Sequence, residues 1–377
     1  MIIPLRKHHP IIKIISISLL DLPAPVNISL WWNYGSLLGL FLTIQIISGI
    51  FISIHYNPRI EYAFISIIHI RKDVNWGWIL HNIHINGASF FLLFIYIHIG
   101  RGIYYNSFHL KETWNTGVTI FILTMATAFI GYVLPWGQIR FWGATVITNI
   151  FSAIPYLGTQ LVEWLWGGFS VNNATLNRFF VIHFLLPFTI LFIVILHFIF
   201  LHKKGSNNPL GINSNSDRIP FHIYFSIKDI IGFFIFIIIF ILIILLYPNL
   251  LIDPENFYEA NSLITPKHIQ PEWYFLWLYA ILRSIPNKLG GVIALLLAVI
   301  ILYIPPISII NNKVSIRFYP INQFIFFRLL ISWFILNWIG SCPVESPFII
   351  TGQVFTILYF LYFLVTPEIL NLWDKIN

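Results

Sequence analysis

Thirteen histidines are spread along this 377-residue chain, and four of them stand inside long apolar stretches: His84 and His98 in one, His183 and His197 in another. Both pairs are fourteen residues apart. On a helix, fourteen residues bring a side chain back to within about 40° of its starting direction and about 21 Å further along the axis. Two such helices facing each other make two cross-helix histidine pairs, one in each half of a hydrocarbon layer roughly 30 Å thick. Two neutral imidazoles facing each other in hydrocarbon suit haem iron. With both axial positions filled, no site is left open for oxygen, and electron transfer is favoured. Cys342 is the only cysteine. Covalent haem attachment, an intrachain disulfide and a cysteine cluster for zinc or iron–sulfur are therefore excluded, and the expected haems are two b-type haems. The plainer reading of a single intramembrane histidine is packing or hydrogen bonding between helices, and the functional rival is a proton relay.

Glycines repeat the period. Gly35 and Gly49 are fourteen apart in one apolar stretch, as are Gly117 and Gly131 in another. A residue without a side chain lets a helix backbone approach the edge of a flat porphyrin, although small residues also serve ordinary helix packing in membranes. Arg101, just past His98, is placed to meet an anionic haem propionate.

The elements that must carry these residues are membrane helices. Hydrophobic residues make up 58% of the chain and charged residues only 9%, against about 25% charged in a soluble domain. Such a chain has too little polar surface to cover a globule in water. Its basic residues are scattered and form no patch interleaved with stacking aromatics, which excludes nucleic acid as a partner. Eight apolar segments are long enough to cross a bilayer: 30–54, 77–104, 114–134, 175–202, 229–247, 288–308, 320–341 and 348–367. Pro135, Pro248, Pro305-Pro306 and Pro343 mark span ends, and Pro187 predicts a bend in the fourth. The expected fold is an all-α membrane protein of eight transmembrane helices whose first four form a bundle holding two haems. It divides into an N-terminal interfacial segment (1–29), the di-haem bundle (30–210) and a C-terminal four-helix packing region (211–377), to which the resemblance described below adds quinone sites.

Eight spans put both termini on one side. Twelve basic and six acidic residues fall there, against eight of each on the other side. The positive-inside rule then assigns the termini to the negative side of an energised membrane. Arg328, the remaining cation, lies within the seventh span and either pairs with a lipid phosphate or snorkels to the surface. The first 25 residues, with Arg6 and Lys7 ahead of an isoleucine-rich run, suggest an amphipathic helix in the interface rather than a cleaved signal. Heavy use of Ile, Phe and Asn without a transit peptide points to a gene in an AT-rich organelle genome.

Specific stretches carry a family resemblance. They are Leu22-Pro23-Ala24-Pro25, Trp31 to Ser36, His84 to Ser89, Gly100-Arg101-Gly102, Gly131 to Gln138, Trp142 to Asn149, Gly205 to Pro209 and Pro271-Glu272-Trp273-Tyr274. Over nearly the whole chain the sequence resembles cytochrome b, the membrane subunit of the respiratory cytochrome bc1 complex. The chloroplast-type relatives are split into two chains and space the second histidine pair by fifteen, so the respiratory form fits better. The resemblance implies His84 and His183 as ligands of a low-potential haem near the positive side, and His98 and His197 as ligands of a high-potential haem near the negative side.

It also implies two quinone sites. Near the positive side, Glu272 is a candidate acceptor of a quinol proton, because a carboxylate against apolar walls has its charged form disfavoured. Tyr132, Tyr279, Gly143, Pro271 and Tyr274 would line that pocket. Near the negative side, His202 and Asp229 would hold or relay protons to a reduced quinone, with Ser36, Ser206 and Lys228 beside them. The implied reaction is that of quinol:cytochrome c oxidoreductase, a Q cycle between ubiquinol oxidation on one face and ubiquinone reduction on the other, adding to the proton gradient. The implied partners are a Rieske iron–sulfur protein, cytochrome c1, other subunits of complex III, membrane lipid and a second copy of the complex; this chain alone would not reduce cytochrome c. The implied location is the mitochondrial inner membrane, multi-pass, with both termini in the matrix. Two positions depart from the family pattern. His81 replaces an arginine that meets a propionate, and Arg140 replaces a small hydroxyl residue beside the oxidation site, where it is either a solvated interface residue or an influence on the pocket. The rival functions are a transporter with a histidine relay, which predicts no visible absorption, and a purely structural membrane subunit, which predicts that His84 and His98 are replaceable.

Overall fold

The computed structural model describes residues 4–308 and 315–376. Lys313, which entered the charge balance, lies outside the described residues. The N-terminal segment is helical in short pieces, Leu5–His8 and Pro10–Ile15 followed by a π-turn at Ser16–Leu20. It exposes Leu5, Ile11, Ile14, Ile17 and Leu19, and Arg6 pairs with Asp21 at 3.4 Å. Exposed apolar residues beside a tethered cation suit a segment lying in a membrane interface.

The first span is α1 (Asn33–Ser53), entered through a 3-10 turn at Leu30–Trp32; a short helix, α2 (Ala63–Lys72), leads to α3 (Gly77–Tyr104), which carries His84 and His98. Next comes α4 (Lys111–Val133). It stops ahead of Pro135, which has no N–H to continue the ladder. Two short helices follow, α5 (Gln138–Asn149) and α6 (Gly158–Trp166). The long α7 (Asn173–Lys204) starts at a reciprocal cap: Ala174 N donates to Asn172 Oδ1 at 2.9 Å, and Asn172 N donates to Thr175 Oγ1 at 3.1 Å. Each contact satisfies a backbone donor at the helix start. Pro187 sits inside α7 without ending it.

The second half holds α8 (Tyr224–Leu246), α9 (Leu276–Ser284), α10 (Lys288–Ile300), α11 (Pro320–Ser341) and α12 (Phe348–Ile376). Seven helices among the described residues are long and apolar enough to cross a membrane. The expected sixth span, 288–308, is instead a broken rod. It runs as α10, tightens to a 3-10 turn at Ile301–Tyr303 and resumes at Pro305–Ser308, where two adjacent prolines remove two backbone donors. Lys288 Nζ at its start donates to Ser152 Oγ at 2.8 Å, beyond the end of α4. Near its other end, the Leu302 carbonyl accepts from Trp114 Nε1 at 2.6 Å, in the first turns of α4.

Two boundaries differ from the sequence expectation in an instructive way. α8 begins at Tyr224, so Lys228 and Asp229 lie inside its first turns. α12 runs on through Pro367 to Ile376. Its last turns are held by tertiary contacts: Leu370 is buried, and Asp374 accepts from the Tyr319 hydroxyl at 3.0 Å. Among the described residues the helices are accompanied by one small sheet, β1 (Pro23–Pro25) antiparallel to β2 (Arg218–Pro220), with Ala24 opposite Ile219. It ties the entry of the first span to the loop before α8.

Packing is in pairs. α1 lies along α3 and α4 along α7, with fewer contacts between the two pairs, while α9, α11 and α12 pack together in the second half. The principal core joins the halves, running from Leu37 and Phe41 through Phe94 and Phe240 to Trp277, Leu336 and Tyr359.

Candidate haem and quinone sites

The paired packing leaves two cavities between the α1/α3 and α4/α7 pairs. The first, about 180 Å³, is walled by His84 and His183; the second, about 420 Å³, by His98 and His197. Leu42 and Phe91 border both. Across the first cavity the two imidazole centroids are 6.2 Å apart, and across the second 6.4 Å. Two metal–imidazole bonds of about 2 Å each, with each ring centre about 1.1 Å behind its nitrogen, place centroids about 6 Å apart. The spacing and the donor set therefore fit a haem iron, which two histidines would hold at each level.

All four ring Nδ1 atoms are engaged. His84 Nδ1 meets Ser48 Oγ at 2.9 Å, His183 Nδ1 the Thr127 carbonyl at 2.9 Å, and His197 Nδ1 the Thr116 hydroxyl at 3.2 Å. Such contacts orient a ring and leave Nε2 to face a metal. His98 differs, since Arg101 Nη2 approaches its Nδ1 at 3.1 Å. The Arg101 guanidinium also lies over Trp32 at 5.1 Å, and its Nε is buried without a partner in the wall of the second cavity. That unmet donor matches the carboxylate edge expected there.

The periodic glycines stand against the four histidine rings. A Cβ built on Gly35 meets His98 Cε1 at 3.4 Å, one on Gly49 meets His84 Cε1 at 3.0 Å, and one on Gly117 meets His197 Cε1 at 3.3 Å. On Gly131 it stands 2.7 Å from His183 Nδ1 and closer still to Cε1. Each glycine thus clears room for the imidazole of the neighbouring helix. The sequence reading missed Ser48 and Thr116. Each is a hydroxyl residue immediately before one of the periodic glycines, a signal that was present in the chain.

Further along the second cavity stand Ser36, His202, Ser206, Lys228 and Asp229. Ser36 lies beside the Asp229 carboxylate, and Lys228 Nζ donates to the Ile28 carbonyl at 2.7 Å. The candidates for quinone reduction therefore share one continuous space with the His98/His197 pair.

At the other end, Tyr132 and His81 line the first cavity. His81 is buried, and its Nδ1 has no partner. Glu272 and Tyr274 are packed closed, 7% and 1% exposed. Arg140 is not a solvated residue. It is 5% exposed, because its charge is matched by Glu272 at 2.7 Å. Burial pushes the Glu272 carboxyl above its ordinary range, and the Arg140 guanidinium pulls against that rise. Pro271 precedes the pair and is half-buried. Gly143, buried in α5, has open space where a Cβ would stand. Tyr279, on α9, has its ring against the Arg283 guanidinium at 4.6 Å.

Comparison with known proteins settles the family. Residues 19–205 match the family described as Cytochrome b/b6/petB, and residues 259–360 match Cytochrome b(C-terminal)/b6/petD. The chain belongs to the cytochrome b/b6 family. It is also similar to a solved structure titled "Hyperthermophilic respiratory Complex III", at 31% identity and a TM-score of 0.91, covering 96% of this chain and 97% of that one. Cytochrome b membership and this likeness support a respiratory electron-transfer role in a multi-pass membrane protein, as a subunit of an oxidoreductase complex that binds haem b.

Proposed function

We propose that this cytochrome b is the di-haem subunit of a quinol:cytochrome c oxidoreductase, working by a Q cycle. The observation that carries the reading is the pair of facing histidines at each of two levels, 6.2 and 6.4 Å between ring centres. Haem bound at each level supplies a one-electron carrier.

The chain's own residues then have separable tasks. His84 with His183, and His98 with His197, would hold the two haem irons through neutral ring nitrogens, while Ser48, Thr127 and Thr116 fix three of the rings. Arg101 compensates anionic charge at the second level, and His81 offers a polar atom at the first. Glu272 accepts a quinol proton on the side of the His84/His183 pair, within a wall formed by Tyr132, Tyr274, Pro271 and Gly143. Tyr279 lies further along α9. On the opposite side His202 and Asp229 pass protons to a reduced quinone, and Ser36, Ser206 and Lys228 shape that end of the cavity. The two reactions sit at opposite faces, so electron flow between them separates charge. Lacking iron–sulfur ligands and covalent haem, the subunit depends on a Rieske protein and cytochrome c1 for delivery to cytochrome c, within a dimeric complex III surrounded by lipid. We assign it to the mitochondrial inner membrane, with the haem bundle at 30–210, quinone-site and packing helices at 211–377, and both termini in the matrix.

The test is quinol-driven reduction of the b-type spectrum in the isolated complex. Ubiquinol should reduce both components, and Glu272→Gln should slow that reduction when it enters from the Glu272 side. A b-type spectrum that ubiquinol leaves oxidised contradicts the reading.

A further inference from the structure

Arg140 and Glu272 come from elements far apart in the chain, α5 and the turn before α9, and meet inside the protein. Their side chains are 6% and 5% exposed, with Nη2 and Oε1 2.7 Å apart. Arg140 is held from two further directions. Its Nη1 donates to the Gln270 carbonyl at 3.2 Å, and its guanidinium lies 4.2 Å from the centre of the Tyr132 ring.

Around this pair three buried polar atoms have no hydrogen-bond partner: Arg140 Nε and the hydroxyls of Tyr132 and Tyr274. Buried polar groups are almost always satisfied. A donor and two hydroxyls left open together beside the ion pair mark a place where a small polar group completes the set. A quinol hydroxyl, which donates and accepts, has that chemistry.

We propose that Arg140 is a positioning residue for quinol oxidation in this chain: it fixes Glu272 in the pocket wall and sustains its charged form, so that the proton acceptor is in place before quinol arrives. This rests on the functional reading above. The step moves one proton. A quinol O–H bond breaks, an O–H bond forms on the Glu272 carboxylate, and the quinol's electrons leave by the two routes of the Q cycle. The transfer leaves the Arg140 cation uncompensated in a buried wall, which drives the proton onward rather than letting it rest on Glu272.

The groups facing Glu272 all bear on its titration. Arg140, from α5, favours the carboxylate; burial and Asp253, from the loop after α8, oppose it; Tyr132, from α4, and Tyr274, in the adjoining turn, face it as neutral hydroxyls. An opposite charge this close moves a carboxyl by about one to three pH units. Loss of Arg140 should therefore move the acid limb of quinol oxidation upward by at least about one unit.

The experiment uses the intact complex carrying Arg140→Met or Arg140→Lys, with haem content checked by its visible spectrum. The pH profile of quinol:cytochrome c reduction is measured beside infrared titration of the Glu272 carboxyl, assigned through Glu272→Gln. The expected result is an acid limb and a carboxyl titration both displaced to higher pH in Arg140→Met, with Arg140→Lys returning most of the displacement. Superimposed profiles, or a uniform loss at every pH with an unmoved carboxyl, overturn the proposal. A displaced carboxyl in a complex that never oxidises quinol overturns the functional reading alone, because the infrared titration needs no turnover.

Discussion

Gly131 on α4 faces His183 on α7 so closely that a methyl group in its place would stand 2.7 Å from the ring's Nδ1, inside contact distance. The other three glycines face their histidines at 3.0 Å (Gly49), 3.3 Å (Gly117) and 3.4 Å (Gly35). A graded outcome follows for alanine at each position. Gly131→Ala should abolish haem at the His84/His183 level, Gly49→Ala should reduce it, and Gly117→Ala and Gly35→Ala should leave most of the His98/His197 haem in place. Haem per protein, read from reduced-minus-oxidised spectra, checks the order. Equal effects at all four sites would mean that the imidazoles yield freely.

The histidines and glycines were legible because a fourteen-residue period survives in the sequence whatever the chain does between spans. The ends of α3 and α11 were legible too, since an apolar run bounded by polar or proline residues marks a membrane helix. The short helices α2, α5, α6 and α9 left no such mark. They are short, and their periodicity is brief and mixed with loop residues. The break in the sixth span was written in Pro305-Pro306, whereas the extension of α12 past Pro367 was not. It depends on Tyr319 reaching Asp374 from another segment. The pairing of Arg140 with Glu272 is of the same kind, a long-range contact that no local pattern encodes.

Glu272 makes a prediction about pH. Its carboxyl titrates above the ordinary range, and the proposed role of proton acceptor requires it to be charged. Quinol oxidation should therefore rise with pH through a limb lying above that range, and Glu272→Gln should remove the limb along with most of the rate. The same substitution strands a buried guanidinium, a change that typically costs about 3–5 kcal/mol of stability. Arg140→Met combined with Glu272→Gln should be more stable than Glu272→Gln alone, as thermal unfolding of the complex will show. A double variant less stable than either single one would contradict the pairing.

Arg101 is a buried cation on the wall of the His98/His197 cavity, with one unmet donor. A cation stabilises the reduced, less positive form of a nearby haem. Arg101→Leu should lower that component's midpoint by on the order of 60 mV, the value of a tenfold change for one electron, and should leave the other component where it is. An unchanged midpoint would remove Arg101 from the site.

The proposed topology has the broken sixth segment cross the membrane, which puts both termini on one face. In a Cys342→Ser background, Lys7→Cys and Lys375→Cys should react with an impermeant maleimide from the same side of sealed vesicles, and Arg59→Cys from the other. Labelling of the two termini from opposite sides would show that α10 fails to cross.

The central claim is a two-level haem site held by His84/His183 and His98/His197. A potentiometric titration of the visible spectrum of the purified protein tests it most directly. The account predicts two b-type components, the lower-potential one lost in His183→Leu and the higher-potential one lost in His197→Leu. Folded protein from a haem-replete host that shows no b-type absorption would contradict it and favour a histidine-relay transporter.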